Sequence, residues 1–178
     1  MANTTFQGPV ISKSGFITTG PANVVDADAS VALTVATHAG RIVHNNAAGA
    51  VTYTLPAINA NSDSASAGPG ADPNNLSNIG ATFEIFASIT KTGDFVVQVA
   101  NSNDVMVGGA KFIDDSSDNM VGFETASTSD TITLNGSTTG GVTFAKVTCT
   151  AISSTQWKVD VESGCTGTPA TPFSAAVS

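Results

Sequence analysis

Apolar and polar residues alternate with period two in short bursts along the chain. Between residues 31 and 56 there are three such bursts, Val31/Leu33/Val35, Ile42 with Val43, and Val51/Tyr53/Leu55. Turn clusters separate them at Thr37-His38-Ala39-Gly40 and Asn45-Asn46-Ala47-Ala48-Gly49. Period two places one face of each segment in a core and the other in water, the signature of β-strands. The pattern returns at Phe83/Ile85/Ala87/Ile89, and Phe86 on the opposite face predicts cover on both sides of that strand. Lys91-Thr92-Gly93-Asp94 then reads as a hairpin turn leading to Phe95/Val97/Val99. Shorter apolar stretches follow around Val105-Met106-Val107, Phe112-Ile113, Met120 to Phe123 and Ile132/Leu134. Val142/Phe144 and Val147/Cys149/Ala151 are out of phase across Ala145-Lys146, which predicts a bulge, and Trp157/Val159/Val161 closes a final hairpin turning at Ser153-Ser154.

No stretch carries the i, i+3, i+4, i+7 pattern over three turns, so almost no helix is expected. The expected fold is all-β: eight to ten short strands at spacings of a sandwich or barrel, read as an antiparallel β-sandwich with extended N- and C-terminal arms. Residues 23–162 make the single domain. Residues 1–22 form an apolar arm broken by Gly8-Pro9, Gly15 and Gly20-Pro21, which lies along its own domain's edge or docks on a neighbour. Residues 59–80 form a long exposed loop, and 163–178 a Pro-rich tail whose one large apolar residue is Phe173. The apolar arm residues Phe6, Pro9, Val10, Ile11, Phe16 and Ile17, together with Phe173, are the expected subunit or partner contacts.

Composition adjusts this picture. Only 11% of residues are charged, so solubility rests on Thr, Ser, Asn and Gly, which also suit strands and turns. Six basic against fourteen acidic residues give a net charge of −8, with no basic stripe, which argues against direct contact with nucleic acid. No apolar run approaches the ~20 residues of a membrane helix, and the N-terminus lacks a basic head and apolar core, so synthesis in a cytoplasm is expected. Cys149, in step with Val147 and Ala151, reads as a small core residue, and a bridge to Cys165 would need the tail to fold back.

Candidate chemistry is sparse. Ser88-Ile89-Thr90-Lys91, Lys91-Thr92-Gly93 and Ser117-Asp118-Asn119 imitate the motifs of penicillin-recognising enzymes, but two of them share a lysine in one turn and the order is wrong. His38 and His44 lack the further ligands of a zinc site and read as surface corners. Asp26 with Asp28, and the knot Asp114, Asp115 and Asp118, could take calcium loosely, or could be ordinary turn acids. Glu84, Glu124 and Glu162 are too scattered to be paired as a glycosidase. No catalytic residue, cofactor or metal ligand is assigned, and an enzyme is not expected.

The run LTVATHAGRIVHNNAAGAVTYTLP, the later Gly80-Ala81-Thr82-Phe83-Glu84-Ile85 and the closing VTCTAISSTQWKVDV resemble strand patterns of small virion proteins of tailed bacteriophages. The opening TTFQGPVISKSGF resembles the N-termini of marine phage structural proteins. The resemblance implies a capsid decoration (cement) protein, jelly-roll-like in form, on the outer surface of the virion. Such a protein binds the major capsid protein lattice, is usually a homotrimer, and stabilises the head. The alternative is a tail, fibre or surface appendage that binds a receptor or glycan through the 59–80 loop.

Overall fold

The structure is a computed structural model, and it describes residues 23–59 and 77–177. Twelve strands and a single helical turn follow in order: β1 Val24–Asp26, β2 Val31–Ala32, α1 Val35–His38, β3 Ile42–Asn45, β4 Val51–Thr54, β5 Thr82–Ala87 and β6 Phe95–Gln98. Then come β7 Val105–Asp114, β8 Asn119–Glu124, β9 Thr131–Leu134, β10 Val142–Ala151, β11 Gln156–Cys165 and β12 Phe173–Ser174. They form two sheets, β1-β3-β5-β10-β11-β7-β8 and β12-β9-β6-β4-β2. The core lies between them, with Trp157, Tyr53, Phe83, Phe95 and Phe112 at its centre. Tyr53 meets Phe95 edge-on at 5.4 Å and Phe83 meets Trp157 at 5.8 Å. The all-β two-sheet expectation holds.

The antiparallel, jelly-roll-like form does not. The first six strands alternate between the sheets, so β1, β3 and β5 run parallel in one sheet and β2, β4 and β6 parallel in the other. The first half of the chain winds as a coil, and only the second half is dominated by antiparallel pairs. Phe83–Ala87 and Phe95–Val99 are therefore no hairpin: their connection carries the chain from one sheet to the other. Alternation reports that one face is buried, and a crossing turn reads in sequence like a reversing one.

Side chains fasten the corners where the coil turns. Buried Asn45 donates its amide to Ala27 O at 2.9 Å and to Tyr53 Oη at 2.8 Å, and it accepts from Lys91 Nζ. Lys91 Nζ also donates to Ala47 O at 2.5 Å and sits 4.9 Å from the Phe95 ring centre. Asn46 N–H donates to Asp28 Oδ1 at 2.6 Å, and Thr92 N–H to Ala48 O at 2.8 Å. Each buried polar group at these corners thus finds a partner, the condition for keeping a lysine inside. Burial holds the Lys91 ammonium below the usual lysine range, with Asp28 opposing the shift.

Three further expectations are revised and one holds. Val35 belongs to α1, where Thr34 Oγ1 accepts from Thr37 N–H at 3.3 Å, rather than to a strand. His38 is buried rather than a surface corner, its Nδ1 accepting from Thr34 N–H at 3.0 Å. The β10–β11 hairpin forms as expected and places Cys149 opposite Val159; both cysteines are buried and free, with no disulfide. The tail is no free arm: β11 runs through Cys165, and Phe173 pairs with Ile132 and is only 9% exposed. Asp130 holds this end down, accepting from Ala176 N–H at 2.8 Å and Val177 N–H at 3.2 Å. The folded unit therefore extends past residue 162, and Phe173 is a contact within its own domain.

Candidate functional site

The outer faces of the sheets are where anything else could bind. Register fixes what the seven-stranded sheet presents. One row crosses all seven strands: Asp26, His44, Phe86, Lys146, Glu162, Lys111 and Gly122. Lys146 and Glu162 pair at 3.2 Å in the middle of it. Val24 and Ile42 flank the row on one side, and Phe144, Ile113 and Met120 on the other, making an apolar strip interrupted by charge.

The strip is open. Val24 is 44% exposed, Ile113 53%, Phe144 55% and Met120 72%. Two depressions lie along it, sharing Phe86 and Phe144 as a common wall. The first, about 560 Å³, is lined by Val24, Ile42, His44, Ala87, Ser88 and Thr143 besides the two rings. The second, about 350 Å³, reaches Ile113 and Met120 between Lys111, Lys146 and Glu162. Phe86, whose position predicts cover on both faces, has none on this side among the described residues.

Phe144 is set by the expected bulge. The register of β10 against β11 shifts between Val142 and Lys146, and within the shift Phe144 takes φ +71°. That region costs a bulky L-residue about 1–3 kcal/mol, so the strain needs a reason. The ring lies outside the core over Gly164, where even a Cβ would stand 3.3 Å from the Phe144 ring. The alternation of Val142 with Phe144 predicts an inward ring; instead Phe144 shares the outward phase of Lys146, with Ala145 and Val147 inward, and Val142 is only half-buried.

At the rim of the first depression His44 links two neighbours. Its Nδ1 lies 2.9 Å from Asp26 Oδ1 and its Nε2 3.0 Å from Ser88 Oγ, the connectivity of a serine-hydrolase relay. The remaining parts of such a site are otherwise engaged. Ser88 Oγ also contacts Asn45 O at 3.3 Å and Asn46 Oδ1 at 3.2 Å, and Ser88 N–H donates to Asn45 O at 3.1 Å instead of facing a developing oxyanion. The trio follows from adjacent strands in register and fastens the edge of the sheet.

The other sequence candidates are accounted for. Asp26 contacts His44, and Asp28 accepts from Asn46 N–H. Asp114 accepts from Ser116 N–H at 3.0 Å, Ser116 Oγ at 2.6 Å and Ser117 Oγ, bonds that hold its carboxyl below the usual range. No group of three or more His, Cys, Asp or Glu side chains that could hold a metal occurs among the described residues, so neither acidic knot is assembled for calcium. Glu84 and Glu162 project from different rows, and Glu124 from the far edge. Phe6, Pro9, Val10, Ile11, Phe16 and Ile17 lie outside the described residues, as do residues 60–76 of the long loop. No protein-family model, curated protein or solved structure matches the chain.

Proposed function

We propose that the chain is a virion structural subunit, a capsid decoration protein of the tailed-phage kind. In this reading it binds the major capsid protein lattice as a trimer on the outer surface of the head and stabilises it. The observation that carries the reading is the open apolar strip of the seven-stranded sheet, with strained Phe144 at its centre. A surface of this kind is stable in water only at a cost, and a protein that keeps one has a partner to cover it. The acidic net charge of −8 favours a protein partner over nucleic acid. The strand-pattern resemblance supplies the class of assembly.

The test uses purified chain added to heads assembled from the capsid protein encoded beside it. Saturable cosedimentation, abolished by Phe144→Asp, is expected. No cosedimentation, or cosedimentation indifferent to Phe144→Asp, overturns the reading.

A further inference from the structure

We propose that the apolar strip is the seat of residues 1–22 from a second copy of the chain, so that copies are joined by exchanged arms. The inference rests on the strip being a contact surface, as above, and adds the occupant.

Three observations select it. The first is chemistry. Residues 1–22 carry Phe6, Val10, Ile11, Phe16 and Ile17, with Lys13 their one charged side chain, while all fourteen acids lie elsewhere in the chain. An apolar segment with a single charge complements a strip lined by Phe86, Phe144, Ile113 and Met120, whose Lys146 and Glu162 already pair with each other at 3.2 Å.

The second is reach. The strip spans six inter-strand steps, about 29 Å at ~4.8 Å each, whereas 22 extended residues cover about 70 Å at ~3.3 Å each. An arm can therefore bridge from one copy to the next and still fill both depressions.

The third is direction. Asn23 O accepts from Ile42 N–H at 2.9 Å, so the ladder continues one residue before Val24. Parallel register sets the centre of the strip level with Asp26 and beyond it, towards Ser88. β1 runs from Asn23 towards that centre, so a segment continuing in line before Asn23 would point off its own strip; covering that strip requires a reversal, and covering a neighbour's does not. One arm and one strip per copy can be exchanged reciprocally between two copies or passed head-to-tail, a contact that closes into a ring where the rotation between copies allows.

The experiment needs no capsid. Full-length chain carrying Phe144→p-benzoylphenylalanine, in equal light and nitrogen-15-labelled portions, is mixed, irradiated and digested. The expected adducts join position 144 to peptides within residues 1–22, half of them mixed in isotope. The double variant Phe16→Asp/Ile17→Asp should lose them and weaken self-association at least tenfold in sedimentation. Adducts to the arm of one isotope only place the arm on its own subunit and overturn the proposal. Adducts to other peptides, or none, overturn it as well. Loss of cosedimentation with heads while the mixed adducts persist sinks the capsid reading alone; the converse sinks only the arm.

Discussion

The two sheets share one core and one alternation, yet their outer faces differ. The five-stranded sheet presents Thr52, Thr54, Val96, Gln98, Thr133 and Ser174, small or polar groups that water satisfies. Its free edge is closed by the chain's own tail, with Phe173 tucked in and Asp130 bonded to the last backbone amides. The seven-stranded sheet presents Phe86, Phe144, Ile113 and Met120. Among the described residues one face carries small or polar groups and the other an uncovered apolar strip. Burial of the inner residues is equally complete on both sheets, so the difference lies in the outer faces and not in the core.

The core behind both faces offers the largest effect, and it should treat them alike. Burial pushes the Cys149 thiol from 9.0 and the Tyr53 phenol from 10.0 to about 12. The folded protein then keeps protons that the unfolded chain gives up, so stability falls as pH rises, from near 9 for Cys149 and near 10 for Tyr53, until pH 12. The Cys149 contribution alone is on the order of 4 kcal/mol at ~1.36 kcal/mol per pH unit. Denaturant titrations from pH 8 to 12 should record the loss. Burial raises the Cys165 thiol too, so Cys149→Ala/Cys165→Ala should delay the onset to about pH 10. A flat profile would mean that these groups are not enclosed between the sheets.

The faces themselves separate under matched charges. Phe144→Asp should weaken self-association at least 100-fold, about 2.7 kcal/mol, while Val96→Asp on the polar face changes it less than twofold. Sedimentation velocity of both variants is the check. Equal losses would erase the distinction. The reverse manipulation uncovers the edge of the polar face. Asp130→Ala removes the acceptor for Ala176 N–H, Val177 N–H and Thr131 Oγ1, at a cost of about 2 kcal/mol. With the tail loosened and Phe173 uncovered, new concentration-dependent association should appear. A variant that loses stability yet stays monodisperse would show that the tail closes nothing.

Much of this was legible in the sequence, and the losses have physical reasons. The strands, the bulge near Ala145-Lys146, the Ser153-Ser154 hairpin and the core placement of Cys149 follow from period-two burial. Pairing direction does not, because Lys91-Thr92-Gly93 turns a coil corner with the residues a hairpin would use. The tail's attachment depends on Asp130, 43 residues before Phe173, a separation no local pattern spans. The strip was half visible: Phe86 asked for cover on its second face, but Phe144 was assigned inward. Phe144 lies on the outward phase of Lys146, so the Val142/Phe144 pair was read on the wrong face.

The smallest effect is the most discriminating, because its sign opposes the usual result of truncating an aromatic residue. If Phe144 is held outward for a partner, the isolated subunit carries its strain without return. Glycine adopts φ +71° without that cost, so Phe144→Gly recovers roughly 1–2 kcal/mol of strain against roughly 0.5–1 kcal/mol of added unfolded-state entropy. With the ring more than half exposed, little burial is lost, and the net expectation is a gain of about 0.5–1 kcal/mol. That raises the melting temperature by about 1–4 °C for a domain of this size, while association is still lost. A subunit made more stable and less able to assemble by one substitution would place Phe144 in the interface. A drop of more than about 1 kcal/mol would mean that the ring supports its own sheet, packed on Gly164 and Phe86, and that the two outer faces differ in composition but not in role.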